Sequence, residues 1–232
     1  MIFQDPMTSL NPYMNIRKQL LEPLTIHKGM SQKDATQKVL QMLDAVQIPD
    51  AKNRLNLYPH EFSGGMRQRV VIAMALLCNP EILIADEPTT ALDVTVQGQI
   101  IQLLADLQRE FHMSMLFITH DLGVVAEICH DVMVMYCGNV MEQDTVNDIF
   151  ANAQHPYTKG LLNTMPSITK DDPKLAKSRR FQLEKAELPS PLNPPKGCAF
   201  HTRCKIATDI CKKEHPSLRA IEGDVYTACH NV

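Results

Sequence analysis

The sequence predicts an α/β domain in which helices cover both faces of a parallel β-sheet. Two apolar runs, EILIAD at residues 81–86 and MSMLFIT at residues 113–119, indicate buried strands, and an amphipathic helical pattern separates them. Continuous apolar strands that alternate with helices are typical of parallel sheets. The chain has 232 residues, of which 44% are hydrophobic. We therefore expect one large domain, or one domain with an appendage.

The first part of the chain is predicted to be mainly helical. Residues 14–47 show a helical pattern that is expected to break near Pro23 and Gly29. Ser31 and Asp34 are typical of a helix start, because a hydroxyl and an acid three residues later satisfy free backbone N–H groups. A second helix is therefore expected to begin at Ser31.

The middle of the chain alternates helices and strands, and the helices come first. The predicted order is helix, strand, helix, strand, helix over residues 63–78, 81–86, 95–111, 113–119 and 121–129. Two strands around Gly138 and Asn139 follow, and then two short helices near residues 146–151 and 156–162. This alternation is the basis of the predicted fold class.

Charge and hydropathy exclude several classes of protein. The net charge is −3, which gives no general case for nucleic-acid binding. The longest uninterrupted apolar run, residues 70–78, has nine residues, whereas a transmembrane helix needs about 20. No basic and then apolar segment begins the chain. We expect a cytoplasmic protein whose membrane association depends on a partner.

Four of the seven cysteines lie near the carboxyl end, after a proline-rich stretch. The stretch LPSPLNPPKG at residues 188–197 is predicted to be an extended linker. A cysteine cluster in a cytosolic chain indicates a metal before it indicates disulfides. Four thiolates suit tetrahedral zinc or an iron–sulfur cluster, although plain reduced thiols remain an alternative. These cysteines are Cys198, Cys204, Cys211 and Cys229.

Two adjacent acids end the first apolar strand. Asp86 and Glu87 lie where ligands bind in open α/β sheets, at the carboxyl end of a strand. An aspartate at this position can hold Mg²⁺, and a neighbouring glutamate can polarise an attacking water. The alternative is a pair of acids that merely caps a helix.

Three further stretches carry candidate groups. Ser63, Gly64 and Gly65 open a helix, where free backbone N–H groups and the helix dipole favour an anion. The alternative is a simple N-cap serine. His120 follows the second apolar strand and suits contact with a phosphate or a water, or a purely structural role. Gln4 alone carries almost no signal.

Together these stretches resemble the ATP-binding subunits of ABC transporters. FQDP resembles the Q-loop, FSGGMRQ the signature motif, ILIADE the Walker B motif and ALD the D-loop. The resemblance covers nearly the whole chain. It implies a P-loop NTPase-like parallel sheet in an ATPase domain over residues 1–150, with a helical subdomain at about residues 14–60. Carboxyl-terminal helices and a linker would occupy residues 151–196, and a cysteine-rich extension would occupy residues 197–232.

The resemblance also implies a role for each matched residue. Asp86 would hold Mg²⁺, and Glu87 would be the catalytic base. His120 would sense the γ-phosphate of ATP, and Gln4 would sense the metal and the water. The ATP-binding residues would be Ser63, Gly64, Gly65 and Asp93, with the signature residues serving the ATP of a partner subunit.

Several stretches resemble the oligopeptide and dipeptide importer branch, with the oligopeptide importers more similar. These are QDPMTSLNP, YPHEFSGGMRQR, EPTTALDVTVQ and HPYT. The resemblance implies MgATP hydrolysis that drives peptide uptake, at the cytoplasmic face of the cell membrane. Implied partners are a second ATPase subunit packed head to tail, permease subunits and, indirectly, a peptide-binding protein, with no nucleic acid. In some members the extension holds a [4Fe–4S] cluster, which implies one for the four carboxyl-terminal cysteines.

One family motif is not found in these residues. A P-loop reads G-x-x-x-x-G-K-[ST], and none of the nine glycines is followed by Lys. Since only three residues precede Gln4, we expect an amino-terminally truncated domain that is inactive by itself, with a split subunit as the alternative explanation. The rival functions are a non-catalytic regulatory or dimerisation module that supplies only a signature motif, and an ABC-type ATPase of DNA repair or translation. HPYT and the cysteine tail argue against the last.

Overall fold

The chain forms two compact units. The computed structural model describes residues 1–90, 92–165, 189–190, 192–221 and 225–232. Within these residues the units are Met1–His120 and Asp121–Val232. Ala91 of the ALD stretch and residues 166–188 of the predicted helix-and-linker region lie outside the described residues.

The first unit is built mainly from helices, as the sequence predicts. Each of the longer ones begins after a residue whose side chain accepts a backbone N–H bond, which satisfies a group that the helix leaves free. The helices are α1 Pro6–Ser9, α2 Ile16–His27, α3 Gln32–Ala45, α4 Ala51–Arg54, α5 Gly64–Leu76 and α6 Val94–Phe111.

The helical pattern is predicted to break near Pro23 and Gly29, in the region that forms α2 and α3. Ser31 accepts a bond from the Asp34 N–H at 3.2 Å, which confirms the predicted start of α3. Gly29 separates the two helices with a φ of 61°, a left-handed conformation that glycine adopts without steric cost. The break predicted at Pro23 is wrong, because α2 continues through it. Burial of Leu20 and Leu24 on both sides outweighs the lost backbone hydrogen bond.

A parallel sheet lies behind these helices. Strands β1 Ile82–Asp86 and β2 Ser114–Ile118 pair in parallel along their full length. On the other side of β1, the Ile2 N–H donates to Ile84 O at 2.8 Å, and the Asp86 N–H donates to Ile2 O at 2.9 Å. Three chain segments therefore run side by side in the same direction.

Only one face of this sheet is covered within the described residues. Leu83 and Ala85 are fully buried in the core of the unit, and their neighbours on β2 pack on the same face. On the opposite face, Leu116 and Ile118 are 54% and 44% exposed. The expectation that β2 is a buried strand is therefore wrong, because the helices α2, α3, α5 and α6 contribute the core on one side only.

The second unit begins with the predicted helix and hairpin. Helix α7 Leu122–Ile128 precedes strands β3 Asp131–Tyr136 and β4 Asn139–Thr145, which pair antiparallel. The turn consists of Cys137 and Gly138, with φ angles of 47° and 78°. Two left-handed residues match the twist of a tight hairpin. Cys137 is therefore an exposed turn residue.

The carboxyl-terminal residues join this hairpin. Helices α8 Val146–Asn152 and α9 Pro156–Leu162 lie near their predicted positions, and α10 Asp209–Lys213 follows later. Short strands β5 Arg219–Ala220 and β6 Tyr226–Thr227 extend the sheet in the antiparallel order β3-β4-β6-β5. The cysteine-rich segment is thus fastened to β4 by backbone hydrogen bonds, including Ala228 N–H to Met141 O at 2.8 Å.

A small aromatic core holds the second unit together. The Phe200 ring is fully buried and lies 5.3 to 6.0 Å from the rings of Tyr136, Tyr157 and His155. His155 belongs to the HPYT stretch and begins α9, since its Nδ1 accepts from the Tyr157 N–H at 3.0 Å. The buried carboxylate of Glu142 accepts the His155 N–H at 3.1 Å. HPYT is therefore a structural element that caps a helix against the tail.

None of the helices in the described ranges is both long enough and apolar enough to cross a membrane.

We predict that His155 makes the stability of the chain depend on pH. Burial lowers its pKa from 6.5 to about 4 in the folded state. The unfolded chain therefore takes up a proton first as the pH falls. The free energy of unfolding is highest above pH 6.5 and decreases as the pH falls towards 4, by about 3 kcal/mol at most. Urea denaturation at a series of pH values measures this.

The matched control is His155→Asn, which keeps an acceptor for the Tyr157 N–H but does not titrate. The difference in unfolding free energy between wild type and the variant shrinks as the pH falls. A difference that stays constant over this range would contradict the prediction.

Candidate functional site

The site lies at the carboxyl-terminal edge of the parallel sheet. Asp86 and Glu87 stand at the end of β1, and His120 follows β2 by two residues. Gln4 follows Ile2, which is bonded to β1 from the other side. Because the three segments run in the same direction, their polar ends meet at one edge.

The structure brings three of the predicted site residues together around one carboxylate. The Gln4 Nε2 donates to Glu87 Oε2 at 2.8 Å. The His120 Nδ1 lies 3.0 Å from Glu87 Oε1. Each oxygen of the glutamate therefore contacts a side chain from a different segment, and the glutamate is the centre of the group.

Thr90 is a fourth member that the sequence analysis missed. Its hydroxyl donates to Glu87 Oε2 at 2.8 Å. The Thr90 N–H also lies 3.3 Å from Glu87 O, which closes a four-residue turn with Pro88 at its second position. Proline favours that position of common turns. The sequence signal for this contact was a hydroxyl three residues after the acid, with a proline between.

These contacts keep Glu87 ionised. The hydrogen bond from His120 lowers the pKa of the Glu87 carboxyl below its ordinary value, and the bond from Thr90 lowers it further. The His120 side chain is 75% exposed and that of Glu87 is 24% exposed, so solvent reaches the group. An ionised, oriented carboxylate suits the polarisation of a water molecule.

The backbone of Glu87 is held in a conformation that non-glycine residues rarely adopt. Its φ is 44°, although it precedes Pro88. Such left-handed residues cost about 1–3 kcal/mol and concentrate at functional sites. The Glu87 N–H bonds to Ile118 O at 2.9 Å, which fixes this turn to the end of β2.

Asp86 is a candidate ligand for Mg²⁺. It is the last residue of β1, and its side chain is half-buried. Carboxylate oxygens at a strand end are the ligands that Mg²⁺ prefers.

Ser63, Gly64 and Gly65 form a second cluster at the start of α5. The Ser63 hydroxyl accepts from the Met66 N–H at 3.3 Å, so it is an N-cap in this structure. Asp93 caps α6 in the same way, accepting from the Val96 N–H at 3.0 Å. Within the ranges that the structure describes, no hydrogen bond joins this cluster to Glu87.

Gly65 is where the two capped helices touch. A Cβ atom at Gly65 would lie 2.7 Å from Val96 Cγ1, closer than side chains tolerate, whereas one at Gly64 would lie 3.7 Å from Leu92 Cδ2. The second glycine of the stretch therefore permits close packing of α5 against α6. This packing joins the signature-like and D-loop-like stretches.

The four carboxyl-terminal cysteines line one small pocket of the second unit. Burial raises the pKa of the thiols of Cys198, Cys204 and Cys229, which favours their protonated form. The sulfur of Cys211 lies 3.4 Å from the Thr208 hydroxyl. Among the described residues, no group of three or more His, Cys, Asp or Glu side chains is arranged to hold a metal ion. The four thiols thus share a pocket, but they do not form a metal-binding group there, and the predicted iron–sulfur site is not confirmed.

Two family matches cover separate parts of the chain. Residues 1–90 match the family described as ABC transporter. Residues 141–211 match the family described as oligopeptide/dipeptide transporter, C-terminal region. The first match contains Gln4, Glu87 and Thr90. The second contains the HPYT stretch and Cys198, Cys204 and Cys211.

Similar proteins occur in several bacteria. The oligopeptide transport ATP-binding protein OppD of Salmonella typhimurium is 53% identical over 236 residues, covering 99% of this chain and 66% of that protein. A putative peptide import ATP-binding protein of Brucella ovis is 50% identical over 229 residues, covering 99% of this chain and 68% of that protein. The chain spans 62% to 66% of the length of three OppD proteins that it matches.

Two solved structures have a similar fold. CbiO1 from Clostridium perfringens, part of the ABC transporter complex CbiONQ, superposes with a TM-score of 0.58 at 28% identity, over 65% of this chain and 58% of that chain. The ATP-binding cassette MJ0796, in a dimeric post-hydrolysis state with ADP and Pi, gives 0.54 at 31% identity, over 62% and 61%. These likenesses confirm the predicted ABC ATPase-like α/β fold.

We predict that Gly65→Ala destabilises the chain by about 1–3 kcal/mol more than Gly64→Ala does. Only the alanine at position 65 would press its Cβ atom against Val96. Urea denaturation measures both free energies of unfolding. Adding Val96→Ala to Gly65→Ala recovers part of the loss, which a double-mutant cycle detects. Equal effects of the two glycine replacements would show that this contact relaxes at no cost.

Proposed function

Since the chain belongs to the ABC transporter ATP-binding proteins of the oligopeptide and dipeptide branch, we propose that it takes part in ATP hydrolysis that drives peptide uptake across a membrane. The observation that carries the proposal is the Glu87 carboxylate, held by Gln4 and His120 at the carboxyl ends of parallel segments. This arrangement suits activation of a water beside a bound phosphate chain.

Each residue of the site has a proposed part in this reaction. Glu87 orients the attacking water and accepts its proton, while Asp86 holds Mg²⁺. When bound, the metal neutralises charge on the phosphate oxygens. His120 would contact the γ-phosphate, and the exposure of its ring supports this role. Gln4 senses the metal and the water, since it contacts the same carboxylate.

The second cluster is proposed to act on a partner's nucleotide. Ser63, Gly64 and Gly65 open α5, and the start of a helix attracts anions. Asp93 would contribute from the start of α6, which packs beside it. Two ATPase subunits would then pack head to tail, each completing the ATP site of the other. The dimeric state of the similar cassette MJ0796 supports this assembly.

These 232 residues are proposed not to hydrolyse ATP by themselves. They contain no G-x-x-x-x-G-K-[ST] stretch, and backbone N–H groups and the lysine of that motif are the main holders of the β- and γ-phosphates. A second candidate function is that the chain supplies only its signature cluster, at the start of α5, to a partner ATPase.

The remaining partners are proposed from the family. Permease subunits would contact the helical region at about residues 14–60, and a peptide-binding protein would act through them. Large exposed side chains on and before α2, Tyr13 at 90% and Ile26 at 66%, support a docking role for this region. The protein would then work at the cytoplasmic face of the membrane.

We predict that Glu87→Gln and Ser63→Arg each reduce ATP turnover by about a hundredfold or more in an importer whose subunit carries these residues together with a P-loop. The first removes the base, and the second places a bulky cation where phosphate must approach the helix. Turnover is measured as phosphate release with the permease in vesicles. The controls are Glu81→Gln, an exposed acid before β1, and Thr145→Arg, the N-cap of α8.

The two variants separate the candidate functions. Loss with Ser63→Arg but normal turnover with Glu87→Gln would favour a chain that serves only its partner's site. Normal turnover with both variants would overturn both candidate functions.

For the tail we propose that the four cysteines hold a [4Fe–4S] cluster, supported by their position around one pocket. Thiolates at Cys198, Cys204, Cys211 and Cys229 would be the ligands. Formation requires these thiols to lose protons, which the raised pKa values of three of them oppose.

Protein purified without oxygen should then contain about four iron and four sulfide per chain and absorb broadly in the visible range. Replacing any one of the four cysteines with Ser removes the absorbance, whereas Cys78→Ser, outside the pocket, leaves it unchanged. One zinc per chain, or no metal at all, would contradict the iron–sulfur proposal.

A further inference from the structure

The Glu87 carboxylate receives a hydrogen bond whose role the proposed reaction leaves open. Thr90 Oγ1 donates to Oε2 at 2.8 Å, the same oxygen that accepts from Gln4. Oε1 is left to His120. The carboxylate is thus fixed by two donors on one oxygen, with the other oxygen turned towards the exposed histidine.

The three contacts differ in how they depend on the rest of the unit. Gln4 is 83 positions from Glu87 in the chain, and His120 is 33 positions away. Thr90 is three positions away, within one closed turn. A movement of the Gln4 segment or of the segment after β2 breaks those contacts, whereas the Thr90 contact moves with the glutamate.

The turn itself explains why such a contact is needed. The backbone of Glu87 is left-handed directly after the extended strand β1, and the side chain is only partly buried. A partly exposed glutamate has several rotamers of similar energy. Pro88 restricts the backbone of the turn, and the Thr90 hydroxyl restricts the side chain that projects from it.

We infer that Thr90 is a positioning residue, whose hydroxyl holds the Glu87 carboxylate in the orientation for water activation while Gln4 and His120 exchange their contacts for ligands. This inference rests on the proposed function, because it assigns Glu87 to the chemical step. It goes beyond that function by naming a residue that does not touch the substrate. A loss of orientation affects the chemical step and not the binding of MgATP.

The test compares two matched replacements in the importer assembled with this subunit. Thr90→Val keeps the branched shape and loses the hydroxyl, whereas Thr90→Ser keeps the hydroxyl and loses the methyl group. We expect Thr90→Val to lower kcat about tenfold with KM for MgATP changed less than about twofold. Thr90→Ser keeps kcat within about threefold of wild type.

Two further variants complete the design. Thr164→Val removes an exposed hydroxyl that donates to Leu161 O at the end of α9, outside the proposed sites, and it leaves kcat unchanged. Thermal unfolding of every variant separates loss of folded protein from loss of rate. Glu87→Gln is measured in parallel, since it tests the proposed function on which this inference rests.

The outcomes are distinguishable. Normal kcat with Thr90→Val, or equal loss with Thr90→Val and Thr90→Ser, would overturn the inference while leaving the proposed function intact if Glu87→Gln is inactive. A rise in KM at constant kcat would assign Thr90 to nucleotide binding and overturn it too. An active Glu87→Gln importer would overturn both.

Discussion

Backbone pairing at one edge of the parallel sheet determines where the polar side chains of the candidate site meet. Ile2 bonds to β1 on one side and β2 pairs with it on the other, so three segments end together. Gln4, Glu87 and His120 then need no long side-chain reach to form one hydrogen-bonded group. If the Ile2 pairing were lost, the glutamate would lose one of its three fixed contacts.

The two helix starts of the signature-like and D-loop-like stretches depend on a different constraint, which is steric. Gly65 allows α5 to approach Val96 on α6, and each helix is capped by its own side chain, Ser63 or Asp93. In this structure these residues already stabilise the starts and the packing of α5 and α6. A role in ATP binding would be additional. A hydroxyl that caps a helix remains next to free N–H groups, so the two uses are compatible.

Local chemistry made much of the first unit predictable from sequence, and non-local packing made the rest unpredictable. Helix starts at Ser31 and Ser63 follow from side chains that bond within three residues. The break predicted at Pro23 does not occur, because burial of its neighbours outweighs the lost backbone hydrogen bond. The contact of Thr90 with Glu87 depends on a left-handed backbone at Glu87, which the proline and the hydroxyl that follow it do not by themselves predict. Strand β6 has two residues and pairs with a distant segment, so no periodic pattern exists to predict it.

The most direct measurement of the central claim is a crystal structure of the assembled importer with MgADP and vanadate. The account predicts the Glu87 carboxylate within about 3 Å of the vanadate oxygen that replaces the attacking water, with Thr90 still bonded to that carboxylate and His120 on the vanadate. It also predicts Ser63 at the nucleotide held by the partner subunit. A Glu87 side chain turned away from the vanadate, or a Ser63 remote from any nucleotide, would contradict it.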